Sequence, residues 1–70
     1  MNREREEELT SILDAAIEAL YAHQEPEHAK SLLEQLDRKE LDVVLDMALH
    51  RQEALEDVRD IALRLYMTKS

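Results

Sequence analysis

Cysteine and glycine are both absent from this 70-residue chain, and proline occurs once. Without cysteine, the chain cannot form a disulfide framework, a cysteine-ligated zinc finger or a catalytic thiolate. Without glycine, it has neither a glycine-rich phosphate-binding loop nor the glycine-bearing elbow that presents a nucleophilic serine. A helical chain this short also offers little concave surface for a substrate. We therefore predict that the protein is not an enzyme and uses no cofactor.

Bulky aromatic residues are nearly missing as well. Phe and Trp are absent, Tyr21 and Tyr66 are the only aromatics, and the apolar 44% is almost all Ala, Leu, Ile, Val and Met. A single domain of 70 residues built from such side chains has a core of marginal size. Burial against a second copy would add to that core. We predict one domain over residues 1–70 and a homodimer.

Long apolar runs are lacking too. No segment approaches the ~20 apolar residues that span a bilayer. The opening sequence MNREREEELT is charged from its third residue, unlike a signal peptide. With the absence of cysteine, these features predict a cytoplasmic protein that has no membrane partner.

Charge of one sign dominates what is present. Seventeen acidic residues against nine basic ones give a formal net charge of −8. A phosphate backbone repels such a surface, so direct nucleic-acid binding is not expected. The charge is compatible with a basic protein partner or with an acidic protein that mimics DNA, but simple solubility is the preferred explanation.

The sequence predicts an all-α fold. Strand signals and hairpin turns are absent, and helix formers dominate. Asn2 is the predicted N-cap of a first helix over residues 3–23. The core stripe of this helix is Leu9, Leu13, Ala16 and Leu20, flanked by Ile12 and Ile17.

A second, short helix is predicted over residues 26–36. It begins at Pro26, because proline suits the first position of a helix. Asp37 followed by Glu40 has capping-box spacing, with Leu36 and Leu41 placed as a hydrophobic staple. These signals favour a break at this point; one helix continuing from Pro26 is the alternative.

A third helix is predicted over residues 38–67, about 45 Å long. It completes a three-helix antiparallel bundle with two long helices and a short one. Its apolar residues form two stripes. The first consists of Leu41, Leu45, Ala48, Leu55, Ala62 and Tyr66, widened by Val44. The second has near-heptad spacing and consists of Val43, Met47, His50, Ala54, Val58, Ile61 and Leu65.

The second stripe is the predicted self-association surface, because two shorter helices cannot cover both stripes of a long one. His50 would then lie in the dimer seam. In the alternative, the middle of the long helix packs against both neighbours and its tail overhangs the bundle.

A predicted acidic docking face on the same helix consists of Glu53, Glu56, Asp57 and Asp60. Its functional interpretation is contact with a basic partner protein. The alternative is an ordinary solvated helix face.

Two histidines and two glutamates surround the single proline in YAHQEPEH. Glu25 and His28 have the i, i+3 spacing that allows a carboxylate and an imidazole to share a metal, and His23 lies nearby. The ligands that a di-iron helical site would need on the first helix are missing. No metal is therefore the main expectation, and a metal-binding helical protein using His23, Glu25 and His28 is an alternative.

Leu36, Glu40, Leu41, Val43, Ala48, His50, Arg51 and Leu55 fall at a spacing that resembles part of the Hha/YmoA family. Members of that family are small helical proteins that bind and modulate nucleoid-structuring repressors. The resemblance covers less than a third of the chain, and it implies a small helical regulator. The sequence as a whole predicts an acidic helical interaction module that acts as a regulator, adaptor or inhibitor of a partner protein.

Overall fold

The structure, a computed structural model, describes residues 2–51 and 55–69. These residues form four α-helices and no strand. The helices are α1 (Arg3–Ile17), α2 (Pro26–Glu34), α3 (Arg38–Leu49) and α4 (Glu56–Thr68). A π-helical turn, Glu18–Ala22, extends α1. None of the helices in these ranges is long and apolar enough to cross a bilayer.

The first three helices begin at the predicted residues. The Asn2 side chain accepts a hydrogen bond of 2.8 Å from the backbone N–H of Arg5, which caps α1. Pro26 is the first residue of α2, where its missing N–H costs nothing. Asp37 and Glu40 form the predicted capping box, each side chain accepting from the other residue's backbone N–H. The predicted break between the second and third helices is confirmed.

The corner after α1 uses a conformation that glycine normally supplies. Gln24 has a φ of 53°, the left-handed region. Its neighbours close the helix end: the His23 N–H donates to Glu18 and the Glu25 N–H donates to Ala19, at 3.1 and 2.8 Å. A non-glycine residue in this region costs about 1–2 kcal/mol, so the surrounding contacts must hold it there.

The prediction of one helix over residues 38–67 is wrong. A helix of that length would measure about 45 Å, whereas the longest dimension of the molecule is 31 Å. Instead, α3 ends at Leu49 and α4 packs back against it. The bundle therefore has four helices where the sequence predicted three, and residues 52–54 of the connection lie outside the described ranges.

The end of α3 is closed by side chains. His50 Nδ1 donates to the carbonyl of Asp46 at 2.8 Å, which satisfies one carbonyl of the last turn. Arg51 turns towards α1, and its Nη2 lies 2.7 Å from Asp14 Oδ1. No glycine or proline marks this end, so its local sequence carries no stop signal.

Burial explains why the chain turns back here. In α4 and its N-cap, four apolar residues are buried: Leu55, Val58, Ala62 and Leu65. A large aliphatic side chain stabilises the fold by about 1.5–3 kcal/mol when fully buried. An extra helical hydrogen bond contributes only about 0.5–1.5 kcal/mol. Burial of α4 therefore outweighs the hydrogen bonds that a continuous helix would gain.

The helices pack in a ring. The main contacts join α1 to α2 and α3, and α4 to the same two helices, so α1 and α4 lie across the ring from each other with at most minor contact. One aliphatic core fills the centre and consists of Leu9, Leu13, Ala16, Ala19, Ala29, Leu33, Leu36, Leu41, Val44, Ala48, Leu55, Val58, Ala62 and Leu65. The predicted stripe residues Leu20, Leu45 and Tyr66 are partly buried against it, and so is Leu32.

Candidate functional site

Helix α4 forms one wall of two clefts, because it packs between α2 and α3. The acidic cleft, between α3 and α4, is lined by Asp42, Leu45, Asp46, Leu49, Glu56, Arg59, Asp60 and Leu63 and has a volume of about 520 Å³. The mixed-charge cleft, between α2 and α4, is lined by Glu27, Lys30, Ile61, Arg64, Leu65 and Thr68 and measures about 350 Å³.

Three leucines form the apolar part of the acidic cleft. Leu45 is half-buried, while Leu49 and Leu63 are 61% and 46% exposed. Leu49 and Leu63 are two of the four large apolar residues exposed on the described surface. Single exposed leucines are ordinary in monomers, but here they converge on one groove between two helices. Such a groove can bury the apolar side chains of a partner.

Carboxylates line both walls of this groove. Asp42 and Asp46 are one turn apart on α3, and Glu56 and Asp60 are one turn apart on α4. Within the described ranges, Asp42 and Glu56 have no ion-pair partner, whereas Asp60 lies 3.2 Å from Arg64. Like charges one turn apart each cost about 0.2–0.5 kcal/mol. The cleft therefore keeps a negative potential that its own cation, Arg59, only partly offsets.

Contacts with α1 hold the α3 wall in place. Arg5 Nε donates to Glu40 Oε2 at 2.5 Å, and Arg5 also pairs with Glu8. The hydrogen bond from Arg5 holds the pKa of the Glu40 carboxyl below its usual range, although partial burial opposes this shift. Thr10 Oγ1 lies 3.8 Å from the Met47 sulfur on the same side. The acidic cleft thus has one wall positioned before any partner binds.

The mixed-charge cleft carries both signs of charge. Glu27 lies in the first turn of α2, and Lys30 and Arg64 stand near it in the cleft lining. Lys30 pairs with Glu34 at 3.6 Å, an exposed pair that leaves the lysine accessible. Half-buried Ile61 and largely buried Leu65 supply the apolar part.

The walls of the mixed-charge cleft are tied together at the end of α4. Lys69 Nζ donates to the carbonyl of Glu34 at 2.6 Å and to that of Leu36. A cation at this position satisfies the last carbonyl of α2 and one just beyond the helix, and it is favoured by the helix dipole. The Arg38 guanidinium lies 4.5 Å from the centre of the Tyr66 ring, which joins α3 to the same end of α4.

The predicted self-association residues do not form one exposed seam. Val58 and Leu65 belong to the core, and Val43, Met47 and Ile61 are half-buried against it. His50 is exposed at the end of α3, and Ala54 lies outside the described residues. The physical reason is the return of α4 against α3, which brings most of the described residues of both stripes against the core. Of the seven, Ile61 and Leu65 line the mixed-charge cleft.

The predicted acidic docking face is divided. Glu56 and Asp60 line the acidic cleft, Asp57 is exposed outside it, and Glu53 lies outside the described residues.

Sequence reasoning missed the other residues of the acidic cleft. Leu49 and Leu63 belong to neither stripe of the predicted long helix. Large apolar residues outside both stripes are expected to be exposed, and this signal could have identified them. Asp42 and Asp46 could be included only once the return of α4 against α3 was known.

The candidate metal ligands are not gathered. His23 Nε2 lies 3.4 Å from Glu18 Oε1, and Glu25 and His28 are exposed. Over residues 2–51 and 55–69, no three His, Asp or Glu side chains are placed to hold one ion. No observation of the structure favours the metal-binding alternative.

Comparison with protein-family models, with curated proteins and with solved structures gives no match. No family model supports the local resemblance to the Hha/YmoA family. That resemblance therefore remains an expectation about the class of protein.

Proposed function

We propose that this chain is a small acidic interaction module that acts as a regulator, adaptor or inhibitor of a basic partner protein. The partner docks in the acidic cleft. The observation that carries the proposal is the pairing of exposed Leu49 and Leu63 with carboxylates on both walls of one groove. Apolar contacts supply most of the affinity of such interfaces, and charges on the rim supply specificity and association rate.

The proposed role is non-catalytic, as the absence of cysteine and glycine from the sequence predicts. The cytoplasmic location predicted from the cysteine-free sequence remains part of the proposal. Modulation of a nucleoid protein by acidic mimicry of DNA is a special case, in which the partner is a DNA-binding protein and duplex DNA competes with this chain.

The test places a photo-crosslinking side chain at position 49 in living cells, with the same side chain at position 21 as control. Tyr21 is also a large exposed residue but lies outside both clefts. We expect a basic protein to be joined to position 49 and not to position 21. That protein is then purified, and its affinity is measured by calorimetry for the wild type and for Leu49→Ala.

The expected loss for Leu49→Ala is about tenfold, because truncation of a buried apolar anchor costs more than about 1 kcal/mol. Equal crosslinking at the two positions, or unchanged affinity of the purified partner, would contradict docking in the acidic cleft.

A second candidate function is self-association through the mixed-charge cleft. In a two-fold dimer, the same surface patch faces itself. Glu27 of one copy can then lie opposite Lys30 and Arg64 of the other, around the apolar contacts of Ile61 and Leu65. The predicted homodimer would use these two residues of the predicted seam, whereas Val43, Met47 and Val58 would remain packed within the fold.

A further inference from the structure

We infer that the occupant of the acidic cleft is an amphipathic α-helix with Lys or Arg on both sides of its apolar face. This inference rests on the proposed function and specifies the partner of the same cleft. It follows from the order in which apolar and acidic side chains occur across the groove.

The apolar floor has helical spacing. Leu45 and Leu49 are one turn apart on α3, and Leu63 comes from the facing helix α4. The groove between two packed helices accepts the ridge of a third helix whose apolar residues repeat at i, i+3 or i+4, and i+7. The exposed parts of Leu49 and Leu63 would be covered by such a ridge.

The acidic walls repeat at the same interval. Asp42 and Asp46 form one row, Glu56 and Asp60 form the other, and the members of each row are about 6 Å apart along their helix. Cations at i and i+4 on each flank of a docked helix match that interval. Arg59 interrupts the α4 wall, so one acidic residue on that flank of the partner would fix its register.

A helix suits this cleft better than an extended peptide. An extended peptide brings backbone N–H and C=O groups that need partners, usually the edge of a sheet. The described residues contain no strand, and the cleft floor presents leucine side chains. A helix satisfies its own backbone hydrogen bonds and needs only side-chain contacts.

A second copy of this chain is a poor occupant of the acidic cleft. Its net charge is −8, and a two-fold contact through this cleft would bring two sets of the four carboxylates together. Like charges across an interface oppose association. A cationic segment removes that repulsion and also relieves the like-charge pairs within each wall.

The closing experiment titrates the purified chain with a synthetic peptide of about 15 residues, long enough to form a helix on binding. The peptide carries Leu along one helical face and Lys on both flanks. A shuffled peptide of identical composition spreads the leucines around the helix. A third peptide replaces every Lys with Glu. Affinity is measured by calorimetry at low and high salt.

We expect the designed peptide to bind at least about tenfold more tightly than the shuffled one, and the acidic peptide not to bind. Binding should weaken as salt rises, because the charges on the rim are screened. In the protein, Asp42→Asn with Glu56→Gln should weaken binding about three- to tenfold. The matched control, Glu18→Gln with Asp57→Asn, removes the same charge from exposed residues outside the cleft and should change affinity less than about twofold.

Equal binding of the designed and shuffled peptides would contradict the inference that the occupant is an amphipathic helix. It would show that the cleft selects its ligand by charge alone. Absence of peptide binding would also contradict that inference, and so would equal losses in the two charge variants. None of these results decides the proposed function, which fails separately if position 49 captures no basic protein.

Discussion

The two clefts share α4 but differ in the helix that stands opposite it. In the acidic cleft, α3 contributes two more carboxylates and a leucine row, so both walls have the same sign. In the mixed-charge cleft, α2 contributes Lys30 and Glu27, so the surface is complementary to itself. The neighbouring helix therefore decides the chemistry of each cleft, and this difference is why we propose a foreign partner for one cleft and a second copy for the other.

The largest expected effect tests whether both clefts depend on the same buried side chain. Val58 is 1% exposed and lies on the buried face of α4. Val58→Glu should destabilise the fold by about 3–5 kcal/mol, because it buries an unpaired carboxylate. A domain of this size has only about 4–10 kcal/mol of stability in total. Because both clefts depend on the fold, both should be lost when it unfolds. Urea unfolding followed by circular dichroism measures the loss of stability.

Leu63→Glu is the control for this variant, since it introduces the same residue on the same helix at an exposed position. We expect it to change the unfolding free energy by less than about 1 kcal/mol. Similar losses for the two variants would contradict the assignment of Val58 to the core.

A smaller effect separates the clefts by their charge. If two copies meet through the mixed-charge cleft, Lys30→Glu with Arg64→Glu makes that surface uniformly acidic and should weaken self-association about tenfold. Adding Glu27→Lys should restore it, because the complementary pairs are re-formed with reversed signs. Sedimentation equilibrium at several concentrations measures both changes.

The matching control is Asp42→Asn with Glu56→Gln, which alters only the acidic cleft and should leave self-association unchanged. A wild-type mass that stays at the monomer value at every concentration would rule out the dimer. If the double variant loses association and Glu27→Lys does not restore it, the self-association surface lies outside the mixed-charge cleft.

The smallest effect concerns the attachment of the α3 wall to α1. Because the pKa of Glu40 is lowered in the folded state, Arg5 and Glu40 stabilise the fold at neutral pH. That stabilisation is lost as pH falls through the folded pKa, which lies below the usual value of about 4.3. Arg5→Gln should destabilise the chain at pH 7, and the difference from wild type should shrink as pH falls below the usual carboxyl pKa.

Arg3→Gln is the control, since the Arg3–Glu7 pair is exposed and 3.9 Å long. Its urea midpoint should stay close to the wild-type value across the same pH range. A constant difference between Arg5→Gln and wild type would show that the Glu40 carboxyl does not carry the effect.

Local signals in the sequence were sufficient for the beginnings of three helices. Asn2, Pro26 and Asp37 each act through their own backbone neighbourhood, and the structure confirms all three. Apolar periodicity also identified core residues of α1 and of the first stripe, such as Leu9, Leu13, Leu41 and Ala48, but it assigned the buried Val58 and Leu65 to the predicted self-association surface.

The return of α4 against α3 could not be predicted in the same way. No glycine or proline marks it, and the turn is favoured by burial of apolar residues against other helices, which the local sequence does not show. Both clefts follow from that turn. The sequence identified some of their residues, such as Glu56, Asp60, Ile61 and Leu65, but could not show that they lie in two separate sites.

The position of α4 as a wall of both clefts has a thermodynamic consequence. If a ligand in the acidic cleft displaces α4, it also changes the surface that would meet a second copy. The two binding equilibria are then linked, and each event changes the affinity of the other by the same factor. A partner that loosens the dimer is itself bound less tightly by the dimer, so the concentration of this chain would set its response to that partner.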